Sequence, residues 1–314
     1  MNESSPPLIE GVTIPPRKIV NGIMCFDDSG YFYSEISRED TLALSSLAAR
    51  MGWKKAALGS RDNFIRKYTS SPNRSLFLSI LPIGENDRIL DVGAGWGTLP
   101  AQIAKGFPET KVYATDKTVE RLFFAQQIKL QEHLNNLHVL QCDVSDLPFE
   151  KDFFDVVIMI GVLEWLGASV TKLRPRAAQE EGLGAILDTL KPGGRLLVGI
   201  ENRVGYDLIL GHADHSKRAY TSLMPRRVAD AYMKLRGDGY YKTYTYTANG
   251  YRQLLKKVGF SRVLVYGTLP DYRFPVRVCD TRKVKDILNR RSAKIIPGRI
   301  IGAVVPSYYI IAEK

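Results

Sequence analysis

The residues most able to do chemistry fall into two groups. The first is Asp91-Val92-Gly93-Ala94-Gly95-Trp96-Gly97, a glycine-rich turn between an apolar run and a stretch of helical spacing. Glycines let the main chain turn sharply and approach a ligand without Cβ clashes. The helix that follows offers unpaired N–H groups to that ligand. The pattern is D-x-G-x-G-x-G, not the dinucleotide G-x-G-x-x-G, and it lacks the Lys-Ser/Thr of a P-loop. Two acidic residues extend it. Asp116 ends the run Val112-Tyr113-Ala114-Thr115, and Asp143 follows Leu140-Gln141-Cys142. A carboxylate at the first strand end can accept both hydroxyls of a ribose. One at the second can accept from an adenine amino group, with Val144 against the ring. Either aspartate alone suits a turn or a cap. In succession after a glycine loop, they point to a nucleoside-bearing ligand.

The second group lies further on. In Gly161-Val162-Leu163-Glu164-Trp165-Leu166, Glu164 can serve as a base or bind a hydroxyl, and Trp165 can stack on a ring. Both also suit the start of a helix. Ligands of parallel α/β sheets bind beyond the carboxyl ends of the strands, which favours the functional reading. Ile200-Glu201-Asn202-Arg203 and Gly211-His212-Ala213-Asp214-His215-Ser216 follow. Two of the four histidines of the chain flank Asp214, and a His–Asp pair can act as an oriented base. The same residues suit a hydrogen-bonded lid loop. A metal would need a third, distant ligand that the sequence does not show, and none is expected. Glu164, His212, Asp214 and His215 are therefore the catalytic candidates. Trp165, Glu201, Asn202, Arg203 and Tyr244 are the candidates for acceptor contact. Tyr244 belongs to the run Tyr240–Tyr246, which suits a sugar-binding wall, an exposed strand or an RNA surface alike.

Elements of regular spacing must position these groups. Apolar β runs are read at Arg88–Val92, Lys111–Thr115, Leu137–Cys142, Phe154–Ile160 and Gly194–Ile200, and helical spacing at 97–107, 118–132 and 178–190. Strands alternating with helices predict a parallel sheet with helices on both faces. Before this region, 1–35 reads as an irregular lead-in, 37–59 as a helix capped by Ser37 and Asp40, and 61–81 as a second helix. After it, 202–247 shows no clear strand. A helix over 248–258 ends at Gly259, the strand Ser261–Tyr266 follows, and 267–303 is irregular and basic. Ser307–Ala312 alternates as an edge strand would.

The chain has 314 residues, 45% hydrophobic and 25% charged, with a net charge of +11. Residues 251–314 hold 14 Lys/Arg against 4 Asp/Glu, which suits either an anionic partner or a solvated basic surface. No apolar run reaches the roughly 20 residues that span a bilayer. The N-terminus shows no basic segment followed by an apolar one. Cys25, Cys142 and Cys279 are scattered, which predicts a reducing, cytoplasmic setting without disulfides.

The region 88–200 resembles the class I S-adenosylmethionine-dependent methyltransferases. The resemblance rests on Asp91, Gly93, Gly95, Gly97, Asp116, Asp143, the strand Phe154–Met159 and the turn Leu190-Lys191-Pro192-Gly193-Gly194. It implies a Rossmann-like α/β fold with a seven-stranded sheet whose last strand, Ser307–Ala312, is antiparallel. S-adenosylmethionine is then the cofactor. Asp91, Gly93, Ala94, Gly95 and Gly97 contact its methionine end, Asp116 the ribose, Asp143 and Val144 the adenine, Gly161 faces the methyl group, and Lys117 is a further cofactor contact. Residues 1–80 would be an extension and 81–314 the methyltransferase domain, with acceptor-side insertions at 202–247 and 267–303.

Residues 200–275 resemble a narrower group, the methyltransferases associated with cell-surface polysaccharide and glycan assembly. Ile200–Arg203, Asp214-His215, Thr221–Pro225, Tyr244–Tyr246, Gly250-Tyr251 and Leu269–Tyr272 carry that likeness. It implies O-methylation of a sugar, sugar-nucleotide or lipid-linked glycan. The enzyme would work in the cytoplasm, with the basic segment Lys283–Arg299 at an anionic membrane surface on its inner face. RNA methylation, with the basic end holding phosphates, and O-methylation of a small metabolite are the alternatives.

Overall fold

The lead-in enters the sheet. In the computed structural model, which describes residues 9–168, 174–281 and 302–314, β1 (Lys18–Val20) and β2 (Ile23–Cys25) form an antiparallel hairpin, and β2 then pairs in parallel further along the chain. The described residues cluster into two units, one of 9–71, 83–157 and 188–194, the other of 72–82, 158–187 and 195–314.

In the first unit, Ser37 caps α1 (Arg38–Met51) by accepting from the Asp40 amide. The helix expected over 37–59 is broken at Gly52, whose φ of 93° lies outside helical space, and resumes as α2 (Trp53–Leu58). The helix expected over 61–81 is shorter: α3 (Asn63–Ser70) stops before Pro72, which cannot supply the next helical N–H. β3 (Arg88–Val92), α4 (Thr98–Gly106), β4 (Lys111–Asp116), α5 (Val119–Gln131) and β5 (Leu137–Gln141) follow as the apolar periodicity predicts. The strands run in the order β1-β2-β5-β4-β3, with β2, β5, β4 and β3 parallel. Their side chains are apolar on both faces because helices cover both. Leu122, Phe124, Ala125 and Ile128 form the buried stripe of α5. β6 (Phe154–Ile160) begins in this unit, and Phe154 meets Tyr113 and Phe149 edge-to-face.

The second unit holds the end of β6, α6 (Pro175–Thr189) as far as Leu187, and the last seven residues of β7 (Leu190–Glu201). α7 (Tyr206–Ile209) and α8 (Arg226–Leu235) lie in the stretch without a strand signal, before α9 (Ala248–Val258), β8 (Arg262–Leu269), β9 (Arg277–Asp280) and β10 (Ser307–Glu313). The order is β7-β10-β8-β9, and β10 is antiparallel to both neighbours. The antiparallel last strand is thus present, but it is not an edge. It lies between β7 and β8 with its first six residues buried, so what reads as alternation is Tyr308-Tyr309-Ile310-Ile311 packed on two faces. The described residues form ten strands where seven were expected. β1 and β2 come from the lead-in and β9 from the stretch read as irregular. No helix among the described residues is long and apolar enough to cross a membrane. All three cysteines are buried thiols. The basic segment Lys283–Arg299 lies outside the described residues.

Candidate functional site

The glycine-rich turn joins β3 to α4 in the first unit. Its peptide groups are fixed to β4: the Ala94 amide donates to the Thr115 carbonyl at 2.8 Å, and the Gly95 amide to Asp116 Oδ2 at 2.9 Å. Gly95 and Gly97 have φ of +57° and +76°, and a Cβ at either would strike α5, at the Arg121 guanidinium and at Ala125 respectively. Close packing on α5 demands glycine at 97, where Ala125 Cβ and Cα stand in the way; at 95 the positive φ is the stronger demand, because the Arg121 guanidinium is the end of a long side chain.

Asp116 stands at the end of β4 and is 7% exposed. Its Oδ1 accepts from the Thr118 amide at 2.8 Å, and its Oδ2 lies 3.6 Å from Arg121 Nη1. Asp143, beyond β5, accepts from Lys117 Nζ at 2.5 Å and from the Ser145 amide at 3.0 Å. Burial works against the Asp143 charge, yet the Lys117 ammonium holds its carboxyl below the usual range. Lys117 and Val144, both expected at the cofactor, are here; Lys117 acts through Asp143, and Val144 is buried. A carboxylate has about four lone-pair sites, so both aspartates keep acceptor capacity for hydroxyl or amino donors. The donor and acceptor set fits a nucleoside with a free ribose.

Residues 27–35 of the lead-in complete this region. The Tyr33 amide donates to Thr118 Oγ1 at 3.1 Å, and the Lys117 ammonium lies 5.0 Å from the centre of the Tyr31 ring. Burial and the neighbouring charges of Asp116 and Asp143 raise the Tyr31 hydroxyl. Glu35 accepts from Trp96 Nε1 at 3.0 Å and faces Arg121 Nη2 at 3.5 Å. Reading the sequence missed Tyr31, Glu35 and Arg121. The lead-in lacks periodicity, and Arg121 reads as one polar residue in an amphipathic helix.

In the second unit Glu164, Glu201 and His215 converge. His215 Nε2 lies 2.9 Å from Glu201 Oε1 and 3.6 Å from Glu164 Oε1. Glu164 is fully buried rather than the exposed start of a helix. The Tyr272 hydroxyl donates toward Glu201 Oε1 at 3.1 Å and Glu164 Oε1 at 3.3 Å, and Arg273 Nη2 reaches Glu201 Oε1 at 2.8 Å. Trp165 meets the His215 ring edge-on at 4.8 Å. Burial opposes the His215 charge, but the Glu201 and Glu164 carboxylates outweigh it and raise the imidazole to about 10. An imidazole held as its cation has no lone pair for a proton, so in this arrangement His215 faces the two carboxylates as a cation rather than as a base.

The expected His212–Asp214–His215 grouping does not form. Asp214 Oδ2 accepts from the Thr221 and Tyr241 hydroxyls at 2.9 Å each, and His212 is exposed. Alternating side-chain directions in a tight loop separate residues that are adjacent in sequence. Asn202 donates to the Ala303 and Val305 carbonyls at 2.8 and 2.7 Å, and Arg203 to those of Ser222 and Met224 at 2.7 Å each. Asn202 thus spends both amide hydrogens on the main chain, while Arg203 spends two of its five N–H donors there. Tyr244 stacks with Tyr241 and lies under the Arg226 guanidinium at 4.2 Å. At Gly161, φ is +69° and a Cβ would stand 3.0 Å from the Tyr272 hydroxyl.

A cavity of about 330 Å³ opens beside the cluster, lined in part by Glu201, Asp207, His215, Ser222, Tyr272 and Arg273. Four of its lining residues carry a buried polar atom without a hydrogen-bond partner: Glu201 Oε2, Asp207 Oδ1, His215 Nε2 and Ser222 Oγ. Each of these atoms has almost no accessible surface, so it lies behind the cavity wall rather than on it. Tyr272, Arg273, Asp207 and Ser222 were also missed as site residues. The Leu269–Tyr272 stretch was conspicuous, but nothing in it gave the hydroxyl a partner.

Comparison with known proteins adds three findings. A family model described as "Methyltransferase domain" matches residues 83–247, more than half of the chain. The chain is 33% identical over 115 residues to the ubiquinone/menaquinone biosynthesis C-methyltransferase UbiE of Stutzerimonas stutzeri, covering 36% of this chain and 41% of that protein. It is 30% identical over 129 residues to the ribosomal RNA small subunit methyltransferase G of Pseudomonas syringae pv. tomato, covering 38% and 58%. The chain thus spans about two fifths to three fifths of the curated relatives it matches. Among solved structures, Haemonchus contortus phosphoethanolamine N-methyltransferase 2 in complex with S-adenosyl-L-methionine aligns with 90% of this chain and 61% of its own, at 18% identity and a TM-score of 0.49.

Proposed function

This chain belongs to the methyltransferase-domain family, the class I S-adenosylmethionine-dependent enzymes, and from that premise we propose that it methylates a hydroxyl of a small polyhydroxylated acceptor, of the kind a sugar or lipid-linked glycan presents. The observation that carries the acceptor reading is the polar lining of the cavity, to which Glu201, Asp207, Ser222, Tyr272 and Arg273 contribute. Glu201 and Asp207 can only accept when ionised, and Ser222 Oγ can do either. A molecule with several hydroxyls satisfies such a set, whereas a flat apolar ring leaves it unpaired at a cost of about 1–3 kcal/mol per group.

In this reading Asp116 accepts the ribose hydroxyls and Asp143, held by Lys117, accepts from the adenine amino group. The amides of the Asp91–Gly97 turn meet the methionine end. S-adenosylmethionine supplies an electrophilic methyl group on a sulfonium that departs as a neutral thioether. With so good a leaving group, the chain's task is alignment and exclusion of water. Glu201 and Ser222 orient the acceptor, and Trp165 closes one side of the cluster against His215. The basic segment 283–299, by its charge alone, suits the phosphates of a sugar-nucleotide or lipid-linked acceptor, or an anionic headgroup nearby.

The relatives' names supply two other acceptor classes, a quinone ring and ribosomal RNA. Incubation with tritiated S-adenosylmethionine and four pools tests all of them: free sugars, sugar nucleotides with lipid-linked saccharides, ribosomal RNA, and a quinone precursor. Label is expected in a saccharide pool, in an ether that survives mild base. Label confined to RNA or to the quinone would sink the proposal.

A further inference from the structure

We propose that Glu164, Glu201 and His215 together form a binding site for one divalent transition-metal ion, of the kind Mn²⁺ or Zn²⁺ represents. The inference deepens the acceptor reading above and rests on it for its role, though not for its existence. One ligand atom from each residue lies within 4.8 Å of the other two. Ligand atoms about 2.1 Å from a common ion sit roughly 3.0–3.4 Å apart, so side-chain shifts of about 1–2 Å at most close the set.

The outer atoms of the cluster are already organised as supports. Tyr272 holds Oε1 of both glutamates, and Arg273 holds Oε1 of Glu201. What remains is Oε2 of each glutamate and Nε2 of His215, and none of these three has a hydrogen-bond partner. Glu164 is wholly buried, so its idle oxygen has no water to turn to. His215 Nε2 stands 2.9 Å from Glu201 Oε1 without the alignment of an N–H donor. A proton on His215 answers the charge of the carboxylates but leaves both Oε2 atoms idle. A metal ion engages all three ligands and keeps Tyr272 and Arg273 as the second layer that orients ligating carboxylates in metal sites.

The donor set decides the ion. Two carboxylates and one imidazole mix hard and borderline ligands, which suits Mn²⁺ or Zn²⁺ and gives Ca²⁺ too few oxygens. Three protein ligands leave open positions toward the cavity. An acceptor hydroxyl bound there loses its proton to solvent water. Its oxygen then forms the bond to the methyl carbon while the carbon–sulfur bond breaks and leaves its electron pair on sulfur. No side-chain base is needed, and His215 ligates as the neutral imidazole, its Nε2 lone pair spent on the ion.

The test uses the full chain after chelator treatment, titrated by calorimetry with MnCl₂ and separately with ZnCl₂, without methyl donor or acceptor. One ion per chain is expected to bind at micromolar concentration. Glu201→Gln and His215→Gln should each weaken binding by about 10- to 100-fold, the range for lost metal-site contacts. Because Glu164→Gln could unfold the buried site, the second readout is thermal melting, in which Mn²⁺ should raise the midpoint of wild type but not of the two folded variants. No saturable binding below 1 mM of either ion, on the order of magnitude that separates a site from surface attraction, would overturn the proposal. So would undiminished binding by both folded variants. Metal binding without methyl transfer to saccharides would leave this site standing and remove the acceptor reading alone.

Discussion

Replacing Asp116 with alanine is expected to weaken S-adenosylmethionine binding by roughly 100-fold or more, read by calorimetry on folded protein. Two hydrogen bonds to an ionised group contribute about 1.5–3 kcal/mol each. Asp116 also ties the Gly95 amide and the Thr118 amide to the end of β4, so its loss loosens the turn that carries the methionine end. Asp116→Asn separates the two contributions. It preserves the side chain's shape and an oxygen for one amide, while halving the acceptors left for ribose. An affinity between wild type and alanine is expected. Unchanged affinity in the alanine variant would remove the ribose assignment.

Arg121→Met is expected to destabilise the first unit by about 3–5 kcal/mol in urea unfolding, the cost of breaking a buried charge pair from one side. Arg121 is 8% exposed and stands between Glu35 at 3.5 Å and Asp116 at 3.6 Å. Burial disfavours its charge, but those two carboxylates hold it firmly protonated. Without it, Glu35 and Asp116 lose the cation that stands between them. Arg121→Lys should recover only part of the loss, because one ammonium cannot reach two carboxylates as a planar guanidinium does. A variant as stable as wild type would show that the Glu35–Arg121–Asp116 chain is ornamental.

The parts that were legible in the sequence are those whose signal is local. β3, β6 and α9 fall where the apolar periodicity puts them, and the Asp91–Gly97 turn declares itself by its glycines. β10 was legible as a strand but not as a central one, because its partners β7 and β8 are set by connections that no periodicity records. The hairpin of β1 and β2 was missed for a related reason. Strands of three residues carry too little pattern, and β2 is held by a parallel partner more than a hundred residues away.

The site divides in the same way. Asp116 and Asp143 were found because each ends a strand that was itself readable. His215 was found, but with the wrong company. Sequence proximity offered Asp214 and His212, whereas the fold supplies Glu164 and Glu201 from the ends of two other elements. Asn202 and Arg203 looked like ligands because they are polar beside a strand end, a position that serves equally to tie down main-chain carbonyls.

The most direct test of the account is steady-state transfer of tritiated methyl to a saccharide acceptor by the Glu201→Gln variant, with donor affinity measured in parallel. Glu201 belongs to the second unit's cavity and Asp116 to the first unit's donor site. S-adenosylmethionine affinity should stay within about twofold of wild type, and kcat/KM for the acceptor should fall by roughly 10- to 1000-fold, the equivalent of about 1.4–4 kcal/mol. Wild-type turnover, or a loss of donor affinity that accounts for the whole defect, would contradict the assignment of this cavity to the acceptor.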